Sequence, residues 1–326
     1  MARLGDENRN LNIGSRHRGL RVLSGYESVS KDRSPRRRGE KNGMPYRKAT
    51  DQQRAALVKV RAALAKKHTC ERCGAYDPSH GLQKGDDRIY NTIRDGTMHR
   101  YCISCRIYFR WLDDRQQVEA HLQALFEQKA PFWLLDTETT GKKPEHPGFQ
   151  VVEIAVVNQD GQVLYRSLCT PDIAMPASAS EISGLTDAQL AEVPTFVQIW
   201  PSLLQLLTST DAPLYCWGAD FDRQALLTTA KRFQLPVPET ISDKNRWRCA
   251  MKLHARWYGE WSNGRNTYRW QSLEEACTNL ELESQGHHRA VGDALNVLGV
   301  MRTIADRAGK YPPPGDMPYH QRFYGE

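Results

Sequence analysis

Three regimes of apolar spacing divide this chain. Residues 1–43 show neither helical nor strand periodicity and are rich in Arg, Gly and Ser, including the run Ser34-Pro35-Arg36-Arg37-Arg38-Gly39. Such a segment is expected to be disordered. From Thr50 the spacing becomes helical. Thr50 and Gln53 form a capping box, Ala55, Val58, Ala62 and Ala65 share one face, and the pattern predicts a helix to about Lys67. Two apolar-polar runs, 88–94 and 97–101, flank the hairpin signal Asp95-Gly96. A further helix is predicted over 107–128, with Val118, Leu122 and Leu125 on one side.

At Ala130-Pro131 the pattern becomes that of an α/β domain. Phe132-Trp133-Leu134-Leu135 reads as a buried strand and 151–157 as a second, and Asn158-Gln159-Asp160-Gly161 turns into a third over 163–168. Antiparallel strands come first; helices and strands then alternate through 214–217 to two late helices. One of these opens on the capping box Ser272/Glu275 and the last spans about 289–308. The expected organisation is a basic arm (1–43), a helix plus small cysteine module (44–130), an α/β domain (131–308) and a tail (309–326).

Composition narrows the classes. The 326 residues are 40% hydrophobic and 25% charged, with mean hydropathy −0.65. No stretch approaches the ~20 apolar residues of a membrane span. The net charge of +7 is uneven: residues 1–50 carry +8, residues 51–130 carry +4 and the remainder −5. A basic front joined to an acidic back suggests a polyanion-binding segment beside a carboxylate-rich site. The arm would add salt-sensitive affinity for nucleic acid; the alternatives are a dispensable tail or an over-extended start, because Met44-Pro45-Tyr46-Arg47 opens the first patterned segment.

Of eight cysteines, Cys70, Cys73, Cys102 and Cys105 form two C-x-x-C pairs with 28 residues between them. Cys169, Cys216, Cys249 and Cys277 stand singly, as small apolar core groups do. With no apolar secretory leader ahead of them, the expected compartment is the reducing cytoplasm, free or nucleoid-associated. Thiolates suit Zn²⁺, and a C-x-x-C knuckle lets two sulfurs converge on one ion with little strain. Two knuckles bracketing a hairpin and followed by a helix are similar to treble-clef or zinc-ribbon modules over about residues 68–115. One structural Zn²⁺ on Cys70, Cys73, Cys102 and Cys105 is expected, since four Cys leave no position for water. A redox dithiol would instead need a single pair in a βαβ setting. Arg72, Arg88, Arg94, Arg100, Arg106 and Arg110 crowd this module, either for phosphate contact or as a solvated surface.

Carboxylates mark the second candidate site. The strand at 132–135 runs into Asp136-Thr137-Glu138, whose acids lie two positions apart and so share one side of an extended chain. Carboxylates aimed together repel unless a cation sits between them. Asp222 follows the strand at 214–217, at a helix start. His288 precedes the last helix and Asp293 sits on its first turns.

In this order the residues resemble the DEDD exonucleases, in the histidine-containing branch that includes the epsilon proofreading subunit of DNA polymerase III, RNase T and oligoribonuclease. The D-x-E motif is met by Asp136 and Glu138, the second motif by Asp222, and His-x-x-x-x-Asp by His288 and Asp293. The resemblance covers about residues 131–308. Gly218 stands where the second motif often has Asn, and Ser183 where a His is common. These two departures are expected to alter handling of the terminal nucleotide rather than to remove chemistry, because neither position carries an essential carboxylate.

The resemblance implies an RNase H-like mixed sheet flanked by helices and a 3′–5′ exonuclease using two Mg²⁺ or Mn²⁺ ions about 4 Å apart. It assigns Asp136, Glu138 and Asp293 to the ion that holds the attacking water, with Asp136 bridging to the second ion and Asp222 completing the site. His288 is then the general base, because imidazole can accept a proton at cellular pH. The implied substrates are single-stranded DNA or RNA 3′ ends, DNA favoured, cut to nucleoside 5′-monophosphates in repair, proofreading or turnover, with a polymerase or repair protein as partner and no membrane. An RNA-trimming enzyme and a non-catalytic zinc-finger adaptor are the competing readings. Residues 244–270 interleave seven cationic side chains with Trp247, Trp257, Tyr258, Trp261, Tyr268 and Trp270, which fits either a single-strand groove or helix packing.

Overall fold

The computed structural model describes residues 52, 54–56, 58, 59, 70–72 and 89–310 apart from 129, 130, 263 and 287. The basic arm, most of the first predicted helix, Cys73 and the tail beyond 310 lie outside the described residues; positions 52, 54–56, 58 and 59 are helical.

Strands β1 (Ile89–Arg94) and β2 (Thr97–Cys102) pair antiparallel around Asp95 and Gly96. Both turn residues take positive φ, 51° and 74°, as a two-residue hairpin loop requires. Helix α1 (Ile103–Glu127) follows without a loop. It starts four residues before the predicted position because extended Cys102 serves as its N-cap, which puts Cys105 in the first turn.

A five-stranded sheet forms the centre, in the order β5-β4-β3-β6-β7. Strands β3 (Trp133–Thr139), β4 (Val151–Asn158) and β5 (Val163–Leu168) make an antiparallel meander. Strands β6 (Leu214–Cys216) and β7 (Trp247–Cys249) join it in parallel, reached through helices α2 (Phe196–Thr208) and α3 (Ala219–Arg232). Helices α4 (Ala250–Tyr258), α5 (Leu273–Asn279) and α6 (Ala290–Arg307) follow β7. This is the mixed sheet flanked by helices that the sequence implies.

Side-chain alternation along β3 decides where the acids go. Trp133 and Leu135 face a core with Ile154, Val156, Leu203, Leu207 and Leu226, beneath α2 and α3. Leu134 faces the opposite core with Val157, Tyr215, Val297 and Met301, beneath α1 and α6. With both faces covered, residues 132–135 are apolar without a break, as a doubly buried strand demands. Beyond Leu134, the same face carries Asp136 and Glu138.

Helix α1 is welded into this second core. Val118 and Leu122 share a cluster with Phe132 and Leu134, so the expected division near residue 130 falls inside one hydrophobic cluster. The Trp111 indole donates to the Trp257 carbonyl at 3.0 Å, and the Trp257 indole donates to Glu119 at 3.0 Å. Arg256 donates to Asp114 at 2.8 Å. Among the described residues no helix is long and apolar enough to cross a membrane.

Candidate active site and cysteine cluster

Where β3 runs out of its apolar stretch, Asp136 stands opposite Ala155 and Glu138 opposite Glu153 on β4. Helix α6 packs across β3 and β4 and presents Asp293 from its first turn. Carboxylate oxygens of Asp136, Glu138 and Asp293 all lie within 4.8 Å of one another, each residue half-buried. Two acids of one strand thus meet a third more than 150 positions later because a strand end and a helix start are stacked.

Asp222 approaches from the other side of β3. It is buried in the first turn of α3, and its Oδ1 accepts from the Thr137 backbone N–H at 3.2 Å and hydroxyl at 2.9 Å. It is not one of the three converging acids, yet its charge reaches Asp136. His288 is exposed and left-handed, with φ 57°; its backbone N–H donates to Asp293 Oδ2 at 3.1 Å.

Electrostatically the cluster is short of positive charge. Burial, then the Asp222 and Glu138 charges, hold Asp136 well above the usual carboxylate range. Burial and the Asp293, Glu153 and Asp222 charges push Glu138 up to about 8, with Arg289 opposing. Burial pushes Asp222 up to about 7 against the hydrogen bonds from Thr137. Repelling oxygen donors at this spacing are a fitting set for a hard divalent cation such as Mg²⁺ or Mn²⁺. The donor chemistry and the expected ions agree.

The sequence reading assigns no role to Glu153, Arg289 or Asn296. Arg289 forks onto Glu153 at 2.9 and 3.0 Å, and the Ala290 backbone N–H also donates to Glu153 at 3.3 Å. The one available signal is that Glu153 is a lone charge inside an otherwise apolar strand. Asn296 gives none, because a polar residue in an amphipathic helix is ordinarily taken to face solvent.

A cleft of about 630 Å³ opens beside Glu138. Phe149, Ile173, Ile182 and Phe221 form its apolar walls, and Lys142 and Lys143 stand at its rim. Ser183 is buried, with its hydroxyl donated to the Ala179 carbonyl at 2.9 Å. Gly218 is the N-cap of α3.

In the front module, the sulfurs of Cys70, Cys102 and Cys105 lie within 4.8 Å of one another and all three residues are buried; Cys73 lies outside the described residues. The hydrogen bond with Cys105, then burial, push the Cys102 thiol far above its usual range. Much of the surrounding cationic charge is engaged locally. Arg94 pairs with Asp113 at 3.1 Å and Arg100 with Glu71 at 3.0 Å, while Arg72 and Arg106 lie over the Tyr108 and Tyr90 rings. In the aromatic stretch 244–270, Trp247, Trp257 and Tyr268 are core groups, and Trp270 is 51% exposed.

A mixed sheet with acids gathered at the end of its central strand defines an exonuclease-type α/β domain. The chain belongs to the RNase T exonuclease family, whose pattern matches residues 134–301. That span contains Asp136, Glu138, Asp222, His288 and Asp293. The chain is 30% identical over 190 residues to the "Uncharacterized exonuclease CP81" of Escherichia phage 186, covering 56% of this chain and 95% of that protein. It is 33% identical over 179 residues to the DNA polymerase III subunit epsilon of Treponema pallidum, covering 53% of this chain and 75% of that protein. Among solved structures, the nuclease domain of 3′hExo, a DEDDh family member bound to rAMP, is 17% identical with a TM-score of 0.44, over 54% of this chain and 92% of that one.

Proposed function

We propose that the protein is a divalent-metal-dependent 3′–5′ exonuclease that acts on single-stranded nucleic acid ends, DNA favoured, and releases nucleoside 5′-monophosphates. The observation that carries this reading is the convergence of Asp136, Glu138 and Asp293 within 4.8 Å, with His288 fastened to Asp293 through its backbone.

Asp136, Glu138 and Asp293 would hold the ions, and Asp222 would complete the site directly or through water. Bound Mg²⁺ or Mn²⁺ supplies neutralisation of the phosphodiester charge and acidification of a water. His288 takes the proton of the attacking water as general base. The apolar walls of the 630 Å³ cleft seat the terminal base and sugar, while Lys142 and Lys143 meet phosphate at its rim.

The cysteine cluster is read as a structural Zn²⁺ site with Cys73 as its fourth ligand. Two ligands at the start of a helix that follows a hairpin favour the treble-clef arrangement over a ribbon. The work of the protein is placed in repair, proofreading or turnover. The epsilon-subunit name of the Treponema relative motivates a polymerase as partner.

The test is digestion of 5′-labelled single-stranded DNA and RNA of equal sequence with Mg²⁺ or Mn²⁺, comparing wild type with Asp136→Ala. A ladder shortening from the 3′ end, lost in the variant and with chelator, is expected, and the faster substrate names the class. Retained binding of both substrates with no shortening would overturn the nuclease reading.

A further inference from the structure

Histidine 288 stands in a conformation that L-residues rarely adopt. A φ of 57° costs on the order of 1 kcal/mol and persists only where neighbours hold it. The neighbours are specific. On the far side of the connection into α6, the Gln285 backbone N–H donates to Asn296 Oδ1 at 2.9 Å. Asn296 Nδ2 in turn reaches Asp293 Oδ1 at 3.4 Å. On the near side, Arg289 and the Ala290 N–H are tied to Glu153. Between them Gly292 admits the incoming backbone: a Cβ there would lie 2.1 Å from the Gly286 carbonyl oxygen.

Asn296 is 3% exposed on a face of α6 shared with Val297, Val300 and Met301. A buried amide is costly unless its hydrogen bonds are met. Here both ends are used, one on the Asp293 carboxylate and one on the backbone leading to His288. We infer that Asn296 is a positioning residue, which couples the placement of His288 to the carboxylate of Asp293 and so keeps the proton acceptor in register with the acids. The inference rests on the exonuclease reading of the site. Glu153 and Arg289 anchor the other end of the same device, and Gly292 provides the space for it.

A double-mutant cycle on the full chain tests this, with single-turnover rates and KM on a 5′-labelled single-stranded oligonucleotide. His288→Ala is expected to lower the rate by about 10²-fold or more. Asn296→Ala should lower it on the order of tenfold with KM within about twofold, as misplacement of a reacting group does. Combined with His288→Ala, Asn296→Ala should cost nothing further, because its effect passes through His288. An equal loss in both backgrounds, or none in either, would overturn the inference while leaving the nuclease reading intact. A His288→Ala protein with full rate would instead overturn the reading of the site. Should Asn296→Ala fail to fold, Asn296→Ser, which keeps a polar group at this position but is too short to bridge Asp293 and the Gln285 backbone, is taken through the same cycle with the same expected collapse.

Discussion

Neutralising Glu138 should stabilise the ion-free protein while abolishing its activity. Glu138 has a folded-state pKa of about 8 against an ordinary value of 4.5. Its carboxyl therefore prefers the proton in the fold and loses it readily when unfolded. Stability from this group is complete below pH 4.5 and drains away as pH rises toward 8. At pH 7 the 2.5 units above the ordinary value correspond to roughly 3 kcal/mol at 1.36 kcal/mol per unit, and solvent screening of a half-buried group reduces this to about 1–3 kcal/mol. Glu138→Gln keeps the shape and removes the charge, so its melting temperature should exceed that of wild type by roughly 3–10 °C at pH 7. The assay is thermal melting at pH 5, 7 and 8 after dialysis into buffer without Mg²⁺ or Mn²⁺. Wild type should lose stability across that range and the variant should lose less. Saturating Mn²⁺ should reverse the order, since on the proposed reading the ion would bind the full set of carboxylates in wild type. A variant no more stable than wild type at pH 7 without added ions would refute the claim that Glu138 is held at electrostatic cost.

Three further outcomes are expected. His288→Ala should lower kcat by about 10²–10⁴-fold with an unchanged melting temperature, whereas a lowered melting temperature would mark His288 as structural. Gly259→Ala should destabilise by about 2–4 kcal/mol, because at φ 86° the new methyl would sit 2.1 Å from Trp111 Nε1; chemical denaturation reads this directly. Elemental analysis should find one equivalent of zinc per wild-type chain, and Cys102→Ser should lose it and melt earlier; a wild-type protein without zinc would sink the assignment.

The elements with a clear period were legible without coordinates. The strand at 132–135 is apolar on both faces because helices cover both, and a short apolar run after Ala130-Pro131 reads as a buried strand. The hairpin at Asp95-Gly96 and the capping box at Ser272 and Glu275 are local chemistry, satisfied by groups within a few residues. Helix α1 was harder to delimit. Its start depends on Cys102 leaving β2 in an extended conformation that caps the helix directly, which apolar periodicity does not encode.

For the site, two acids on one side of a strand suggested a shared cation at Asp136 and Glu138, and the resemblance to the DEDD exonucleases nominated Asp222, His288 and Asp293 beside them. Only the tertiary structure decided that Asp136, Glu138 and Asp293 converge while Asp222 is turned onto Thr137. It also decided that Glu153 faces Glu138 across the β3–β4 ladder and is balanced by Arg289, 136 positions away. The physical reason is one of range. Side-chain periodicity and caps are set by neighbours along the chain, so they are written in consecutive residues. The field at a carboxylate is set by whichever charges the fold brings beside it, and here those come from β3, β4, α3 and α6 together.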